Sequence, residues 1–445
     1  MKKILTSLLA TNILLPCFGQ LSFIGTDHDV ITITPGASTG LNDIYVLYNT
    51  SGVSLSYMSE NDNSRPEWYK FGNLGGGYAE LIPNVKYDGF SSSISIVEGD
   101  TGYIIRDGKT TLYFWVVDYS RHPLSINGIE LSPESDCSTV ALDFNGSGGE
   151  AIRYYTINGQ GKELGRDVEL KFHTMEFDSA TDAYSIKESV ETFAHIGSTI
   201  YATAPLCNTD FTLSGDRFLR QWGLVEEAST PVVNAIAVEA TTSAEQHKEE
   251  IDNEQSSGSS GNLGGSAPVD ITFMADVTDA VVFTEWQISK DSNFDIIDYR
   301  ETNTELTYTF RDAGTEYVRF MASNSQGSCD YYSPTYEVSI GESDIKCPNA
   351  FSPGASEGIN DVWKVSYKSI VSFECHIFNR WGVKVASFNN PADGWDGKYN
   401  GKLVPAGVYY YVINAKGADG KTYKLKGDIN IINYKRNSNT GNVAN

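Results

Sequence analysis

The stretch PAGVYYYVI at residues 405–413 decides the fold of the C-terminal part of this chain. Tyr409 and Tyr411 stand two positions apart in it, with Tyr410 between them. Because successive side chains of a β-strand point to opposite faces of a sheet, Tyr409 and Tyr411 are expected on one face and Tyr410 on the other. A turn pair, Asp396-Gly397, precedes the stretch. The pattern predicts a small β-sandwich in this region.

The rest of the chain also has the composition of a strand-rich protein. It holds 26 Tyr, 20 Phe and 41 Gly among 445 residues, which favours strands and tight turns over helices. A chain of this length is too long for one hydrophobic core, so about three or four domains are expected. The predicted fold class is all-β, with tandem immunoglobulin-like β-sandwich domains and a C-terminal β-sandwich.

Turn signals and a change of composition divide the chain. Asp107-Gly108 and Asn158-Gly159 indicate hairpins. The run SSGSSG at 256–261 cannot bury enough apolar surface to offset the entropy of ordering it. Trp286 and the segment GTEYVRF at 314–320 resemble the PKD or fibronectin type III kind of sandwich. The expected parts are a β-sandwich over 20–118, a second over 119–240, a flexible linker over 241–266, a PKD-like or fibronectin III-like sandwich over 267–343, a C-terminal domain over 346–435 and a tail over 436–445.

The first residues have the features of a secretory signal peptide over 1–19. A lysine pair precedes an apolar stretch that is too short to span a membrane, and Cys17 and Gly19 supply small residues before a cleavage site. We do not expect Cys17 to carry a lipid, because Pro16 stands where lipoprotein signals have Gly, Ala or Ser. Export is therefore predicted, and no apolar run of the mature region is long enough for a membrane span.

Five cysteines remain once the signal peptide is removed. Disulfides form in oxidising compartments, but the number is odd, so at least one thiol is free or pairs with another chain. Cys137 and Cys207 fall in one expected domain and are the candidate disulfide. The connectivity of Cys329, Cys347 and Cys375 is left open. No C-x-x-C spacing indicates a zinc site.

The charge is unevenly distributed. From Lys346 to the C-terminus there are 13 Lys and Arg against 7 Asp and Glu, a net charge of +6. The other 345 residues then hold 20 basic against 50 acidic groups, a net charge of −30. An acidic body argues against nucleic-acid binding. Two accounts of the asymmetry stay open: it serves solubility alone, or the basic end docks on an anionic surface, such as lipopolysaccharide or an acidic receptor face.

The last hundred residues carry an ordered set of short motifs. They are CPNAFSP at 347–353, EGIND at 357–361, IFNRWG at 377–382, GWDGK at 394–398, PAGVYYYVI at 405–413 and KGDINII at 426–432. In this order and spacing they resemble the gliding-motility-associated C-terminal domain, the type B sorting domain of the type IX secretion system in Bacteroidetes. The motif residues are Phe351, Asn360, Asp361, Ile377, Phe378, Asn379, Arg380, Trp381, Gly382, Trp395, Asp396, Gly397, Gly407, Tyr409 and Tyr410.

The resemblance implies a route of export. It implies passage through the inner membrane by the Sec route and through the outer membrane by the type IX translocon, with a PorP/SprF-type outer-membrane protein as partner. The implied location is the cell surface, on the extracellular face of the outer membrane, or the medium. Whether the domain is later cleaved is left open. Within it, Arg380 is expected to stack on Trp381, a contact worth roughly 0.5–2 kcal/mol.

The loop after FSP departs from the family pattern. The family usually has N-G-D-G-x-N-D, whereas this chain has GASEGIND at 354–361 and lacks the first Asp. A calcium loop needs several oxygen ligands in quick succession, so Glu357, Asn360 and Asp361 are expected to cap a turn rather than to bind metal. A similar run, PGASTGLNDIY at 35–45, suggests that the loop is a structural way of entering a strand.

The sequence contains no recognisable catalytic motif. Its six histidines are scattered, and neither H-E-x-x-H nor G-x-S-x-G occurs. The glycine-rich run at 159–165 fits a hairpin better than a dinucleotide fingerprint. No enzyme, cofactor or metal site is predicted. Ser179, in Asp178-Ser179-Ala180, is a candidate O-glycosylation site because the triplet resembles a short acceptor of Bacteroidetes.

Two functions remain under consideration. The leading hypothesis is a non-enzymatic, exported structural or adhesive protein, because tandem sandwiches act as spacers and as scaffolds for binding loops. The alternative is a glycan-binding surface protein, in which sugars stack on aromatic rings of the first domain. The same rings could instead fill its core, where aromatic residues are usually buried. The rings are those of Tyr45, Tyr48, Trp68, Tyr69 and Phe71.

Overall fold

The computed structural model describes residues 21–224, 226–247, 251–255, 263–354 and 358–432. The regular structure of these residues is almost entirely β-strand, which confirms the all-β prediction. Helical structure within the described ranges consists of two 3₁₀ turns, Ala37–Thr39 and Tyr119–Arg121, and one short helix, α1 (Arg217–Trp222). The expected signal peptide lies outside the described residues.

The first sandwich has two antiparallel-rich sheets. Its strands are β1 (Leu21–Ile24), β2 (Ile31–Ile33), β3 (Asp43–Leu47), β4 (Ser54–Met58), β5 (Glu67–Phe71), β6 (Glu80–Leu81), β7 (Lys86–Asp88), β8 (Ser91–Ile94), β9 (Thr101–Asp107) and β10 (Thr110–Asp118). One sheet has the order β1-β4-β8-β7 and the other β2-β3-β10-β9-β5-β6. Trp68 and Phe114 belong to the core that the sheets share. β9 and β10 form the hairpin predicted at Gly108, whose φ is +58°.

The second sandwich is more irregular. Its strands are β11 (Ser125–Leu131), β12 (Thr139–Ser147), β13 (Ile152–Tyr155), β14 (Gly161–Leu164), β15 (Val168–Asp178), β16 (Ala183–Phe193), β17 (Thr199–Thr203), β18 (Thr212–Ser214) and β19 (Glu227–Ser229). They form sheets of order β11-β12-β17, β13-β14 and β16-β15-β18-β19. One core cluster contains residues of both sandwiches, among them Trp115 and Phe211. The described residues up to 174, together with 186–235, therefore form one compact unit.

A second unit contains residues 175–185 and the chain from 236 onward. Its first part is a sandwich with strands β20 (Ala240–His247), β21 (Leu263–Gly265), β22 (Val269–Val277), β23 (Val281–Ser289), β24 (Tyr299–Glu301), β25 (Glu305–Phe310), β26 (Gly314–Asn324), β27 (Asp330–Tyr332) and β28 (Tyr336–Ile340). The sheets have the orders β20-β22-β25 and β21-β28-β26-β23-β24, with β27 paired to β26. Trp286 is fully buried between them, with its ring 5.5 Å from Phe273 and 4.9 Å from Phe320.

The prediction of a flexible linker over 241–266 is wrong for those of its residues that the structure describes. β20 pairs with β22 along its whole length, from Ala240 opposite Val277 to His247 opposite Asp270. Its composition is polar because it is an edge strand with one face in solvent, while the small side chains of Ala240 and Ala244 pack on the core. The Ser/Gly run that suggested a linker lies outside the described residues.

The C-terminal domain is a second sandwich within this unit. Its strands are β29 (Asp344–Lys346), β30 (Ala350–Phe351), β31 (Ser366–Lys368), β32 (Ile370–Phe378), β33 (Lys384–Phe388), β34 (Lys398–Tyr399), β35 (Lys402–Leu403), β36 (Gly407–Gly417) and β37 (Thr422–Ile431). The main sheet has the order β30-β37-β36-β32-β33, and β29-β31 and β34-β35 are small pairs. The core of the domain lies on one face of the main sheet, and the other face is open.

Candidate functional site

The central strand of the C-terminal domain alternates as its sequence predicts. Tyr409 and Ile413 are buried and Tyr411 is half-buried, whereas Tyr410 and Val412 are exposed. The long pairing of β36 with β37 and with β32 holds this alternation across three strands. One face of the sheet therefore carries the core, and the other presents side chains to solvent.

Three motif residues from distant parts of the sequence meet in that core. The Trp395 ring lies 5.5 Å from Phe351 and 5.1 Å from Tyr409, centroid to centroid. Trp395 also exchanges two backbone hydrogen bonds of 2.9 Å with Trp363, and its indole Nε1 donates to the Lys398 carbonyl at 3.0 Å. These residues hold the two layers of the domain together.

The IFNRWG motif forms the hairpin turn between β32 and β33. The Asn379 Oδ1 accepts hydrogen bonds of 3.0 Å from the backbone N–H groups of Trp381 and Val383. Gly382 completes the turn with a φ of +79°, a region that favours glycine. The Arg380 guanidinium lies 4.3 Å from the Trp381 ring centroid, so the expected stacking is present. The indole itself is 72% exposed and points away from the core.

The GWDGK motif is a second tight turn. The Asp396 carboxylate accepts from the Lys398 backbone N–H at 3.0 Å and from its Nζ at 2.6 Å. Partial burial acts to raise the pKa of Asp396, but the hydrogen bonds and charge of Lys398 outweigh it and hold the pKa below its usual range. Gly397 has a φ of +74°, and a Cβ there would come within 2.9 Å of the Pro353 side chain. Gly397 therefore allows close packing against Pro353 as well as the turn.

The entry loop uses its aspartate as a cap. The Asp361 Oδ1 accepts from Gly354 N–H at 2.8 Å, and its Oδ2 accepts from Gly358 N–H at 2.7 Å. Asn360 has a φ of +52°. Both carboxylate oxygens are therefore engaged by backbone groups, which supports the turn-capping role. Glu357 lies outside the described residues, and no group of three or more metal-ligating side chains occurs among those that are described.

The similar loop of the first sandwich leads directly into a strand. Asp43 begins β3, and its carboxylate accepts from the hydroxyl groups of Thr34 and Tyr45, both at 3.3 Å. Asn42 is held to Tyr113 by two hydrogen bonds, with its backbone N–H donating at 2.7 Å and its Oδ1 accepting at 2.9 Å. The two loops therefore share a similar sequence, but Asp43 begins a strand, whereas Asp361 is followed by an isolated bridge at Trp363. Their aspartates also bind different groups.

Residues 344–432 thus combine an aromatic core, two glycine turns and a capped entry loop in one small sandwich. Residues 345–431 match the family model described as the CHU_C type IX secretion signal domain. The C-terminal sandwich is a type IX secretion signal domain. Its presence implies interaction with the type IX secretion machinery and export to the cell surface or the medium.

A second family model matches this chain, and several solved structures are similar to it at low sequence identity. Residues 130–230 match a fibronectin type III domain model, which falls on the second sandwich. The PKD-like or fibronectin III-like character of 267–343 stays a prediction. A tetra-tandem repeat from the extending region of a large adhesion protein is 12% identical over 86% of this chain and 96% of its own, with a TM-score of 0.22. Dimeric latent PorU from Porphyromonas gingivalis is 11% identical over 73% of this chain and 36% of its own, with a TM-score of 0.16. An ICAM-5 D1–D4 ectodomain fragment is 10% identical over 93% of this chain and 100% of its own, with a TM-score of 0.20.

Comparison with curated proteins gives no match. Among the described residues, none of the helices has the length and apolar character that crossing a membrane requires.

Residues 251–255, which fall in the expected flexible linker, are attached to the secretion signal domain by hydrogen bonds that the sequence did not indicate. Asn253 donates its side-chain N–H groups to the carbonyls of Val365, at 2.7 Å, and Pro391, at 2.9 Å. Gln255 N–H donates to the Tyr367 carbonyl at 2.7 Å. The Gln255 Nε2 also donates to the Ser366 Oγ at 3.0 Å. These residues lie next to a Ser/Gly run in sequence, where no periodic pattern marks them.

The cysteines of the described residues differ in their chemical state and surroundings. Cys347 and Cys375 are reduced and pack in the core of the secretion signal domain. Burial raises the pKa of Cys375 to about 12, and the neighbouring Cys347 adds to this effect. Cys137 and Cys329 are disulfide cysteines, and Cys207 is buried. The pairing of Cys137 with Cys207 stays a prediction.

The aromatic rings proposed for glycan stacking are mostly part of the fold. Trp68 and Phe71 are buried, and the Trp68 Nε1 donates to Ser92 Oγ at 3.1 Å. Tyr45, Tyr48 and Tyr69 are half-buried. Burial therefore removes the Trp68 and Phe71 rings from contact with a sugar.

Ser179 lies in the exposed turn between β15 and β16. The Asp178 Oδ1 before it accepts from Ala180 N–H at 2.9 Å, which closes the turn and leaves the serine hydroxyl outside it. An acceptor for a bulky sugar needs such an exposed position. O-glycosylation at Ser179 stays a prediction.

Proposed function

We propose that this chain is a non-enzymatic, exported cell-surface or secreted protein with a structural or adhesive role. The observation that carries the proposal is the type IX secretion signal domain at the end of a chain of β-sandwiches. Rigid sandwiches present loops at a distance from their attachment point, which suits a spacer or an adhesin.

The proposed route has two steps. The segment 1–19 directs the chain through the inner membrane, and the secretion signal domain then directs it through the outer membrane by the type IX translocon. A PorP/SprF-type outer-membrane protein is the proposed partner, and the extracellular face of the outer membrane is the proposed destination. A version released to the medium is compatible with the same route.

A non-enzymatic role is supported by the kinds of domain that are present and by where the charged groups lie. The matched domains are a fibronectin type III domain and a secretion signal, which are not catalytic kinds. The deeply buried ion pair of Arg166 and Asp216 is engaged with helix α1 and with backbone carbonyls. It therefore serves the fold rather than a reaction.

Fractionation of the native secreting cells tests the proposal. The full-length chain is expected at the cell surface, where added protease digests it in intact cells. A version that ends at Ser343 keeps β28 whole and is expected to stay in the periplasm. A version without residues 1–19 serves as the control for the first step and is expected to stay in the cytoplasm. Equal surface exposure of the full-length and Ser343 versions would contradict the sorting role.

Glycan binding is the alternative, and a different set of rings keeps it open. Tyr87 and Phe90 of the first sandwich are 40% and 48% exposed, and the Arg65 guanidinium lies 5.6 Å from the Tyr87 ring centroid. Retention of the full chain on a polysaccharide column, lost in Y87A/F90A but kept in Y201A, would favour it. Tyr201 is a fair control because it is 54% exposed on the second sandwich.

A further inference from the structure

The open face of the secretion signal domain has an apolar centre. Phe378 on β32 stands directly opposite Tyr410 on β36, and His376 stands opposite Val412. Tyr410 is 47% exposed and Val412 40% exposed. Trp381 follows Phe378 in the next turn and is 72% exposed. We call Phe378, Trp381, Val408, Tyr410 and Val412 the outer aromatic face.

Positive charge surrounds this outer aromatic face. Lys426 stands opposite Val412, and Lys384 stands opposite Phe378. The exposed basic residues are Arg380, Lys384, Lys416, Lys424 and Lys426. The exposed acidic residues on the same strands are Glu374 and Asp428, and Glu374 is 3.2 Å from the His376 Nε2. Five exposed basic residues therefore stand against two acidic ones, of which Asp428 lies directly opposite Tyr410. The excess of positive charge agrees with the net charge of +6 from Lys346 onward.

An apolar centre with a charged rim is the anatomy of a protein–protein contact. Exposed aromatic side chains at the centre of a patch supply most of the affinity, and rim charges steer the encounter. A polyanionic sugar surface would also be attracted to the basic rim, and crosslinking distinguishes it from an acidic protein. Because the rim is basic, the partner surface is expected to be acidic.

We propose that the outer aromatic face is where the secretion signal domain docks on an acidic protein surface of the secretion machinery. The inference rests on the proposed export function and adds to it the face used and the chemistry of its partner. The acidic body of a second copy of this chain is the main competing occupant. A sorting signal has to stay accessible to be recognised, which favours the machinery over a second copy.

Two double variants of the full chain, expressed in the native secreting cells, test the proposal. W381S/Y410S removes the two most exposed rings of the face, and K424E/K426E reverses charge on its rim. Surface display is expected to fall by about tenfold or more in both, as for loss of interface hot spots. The matched control is Y399S/L403S, because these side chains are 42% and 43% exposed on the β34–β35 hairpin of the same domain. Its display is expected to stay within about twofold of the parent chain, as for apolar side chains outside a contact.

Photo-crosslinking identifies the occupant. A benzophenone amino acid at position 412 is expected to crosslink to an outer-membrane component of the secretion machinery, and one at position 399 is not. A crosslink to a second copy of this chain, or to lipopolysaccharide, would overturn the proposal. Purified face variants must show the same unfolding midpoint as the control, so that lost display is not lost folding.

The failure of this inference is distinguishable from failure of the export proposal. If the Ser343 version stays in the periplasm while both face variants reach the surface, the docking face is wrong and the sorting role stands. If the Ser343 version itself reaches the surface, the sorting role fails first.

Discussion

The Arg166 guanidinium and the Asp216 carboxylate meet at 2.9 Å in the interior of the first unit, where their side chains are 1% and 0% exposed. The Asp216 Oδ1 also accepts from the N–H groups of Phe218 and Leu219, at 3.1 and 3.0 Å, and so begins α1. The Tyr119 hydroxyl donates to the Asp216 Oδ2 at 3.1 Å. One buried pair thus fixes the start of the helix and its place against the second sandwich.

Asp216→Ala is expected to lower the free energy of unfolding of the first unit by about 3–5 kcal/mol, because it leaves the Arg166 charge buried without a partner. Urea unfolding followed by tryptophan fluorescence measures the change. Glu98→Ala is the control, since it breaks the 2.6 Å ion pair between Lys70 and Glu98 near the surface. The Lys70 side chain is 31% exposed and that of Glu98 is 52% exposed. The control is expected to cost at most about 1 kcal/mol. If D216A lowers the free energy of unfolding no more than E98A does, the buried pair of Arg166 and Asp216 adds little to stability.

Much of the architecture could be predicted from the sequence because strand periodicity and turn residues are local signals. The alternation of Tyr409, Tyr410 and Tyr411 follows from the two-residue period alone. The hairpin turns at Gly108 and Gly159 follow from a need for positive φ, which the structure shows at +58° and +78°. The order of the motifs in the C-terminal domain is likewise a property of the sequence alone.

What could not be predicted depends on contacts between distant residues. Arg166 and Asp216 are 50 positions apart, and charged residues are ordinarily expected at the surface. The apolar side chains that β20 packs on the core are those of Ala240 and Ala244, and Thr242 and Gln246 on the same face are polar, so its pairing with β22 leaves no hydrophobic pattern. The docking of residues 251–255 combines the packing of Ile251 with hydrogen bonds of Asn253 and Gln255, several of them to backbone carbonyls, and such contacts leave no periodic pattern in the sequence.

Asn253→Ala is expected to loosen the attachment of residues 251–255 to the secretion signal domain. The change removes both side-chain hydrogen bonds to the carbonyls of Val365 and Pro391, each worth about 1 kcal/mol. Hydrogen exchange at the Gln255 amide, which donates to the Tyr367 carbonyl, is expected to speed up by about tenfold or more. Asp252→Asn, which weakens only the exposed pair with Lys364, is expected to leave this rate nearly unchanged. Equal rates in the parent and N253A chains would count against the attachment.

Stability of the secretion signal domain is expected to fall at alkaline pH because of Cys375. Burial raises the pKa of its thiol from 9.0 to about 12, with a smaller contribution from Cys347. The unfolded chain loses this proton from about pH 9, whereas the folded domain keeps it, so the stabilisation is present below pH 9 and is lost as the pH rises towards 12. The limiting slope is about 1.4 kcal/mol per pH unit.

Denaturant unfolding between pH 8 and 11 checks the sign of this effect. Cys375→Ala is expected to lower the stability at pH 8 through the cavity it leaves and to flatten the alkaline decline. Parallel declines in the parent and C375A chains would assign the pH dependence to other groups, such as Tyr411, whose pKa burial raises to about 12.

Gly397→Ala is expected to destabilise the secretion signal domain more than Gly401→Ala, although the two glycines have nearly the same backbone conformation. Their φ angles are +74° and +77°, so each substitution carries a strain of about 1 kcal/mol. At Gly397 the added Cβ would also lie 2.9 Å from the Pro353 Cγ and 3.4 Å from the Phe351 ring, while at Gly401 it meets nothing within 4 Å. Displacing Phe351 disturbs its contact with Trp395, so G397A is expected to cost about 1–3 kcal/mol more than G401A. Denaturant unfolding compares the two, and equal losses would mean that the turn tolerates a side chain and that glycine serves only its φ. A larger loss in G397A that is matched by lower surface display would tie the packing of the GWDGK turn against Phe351 directly to export.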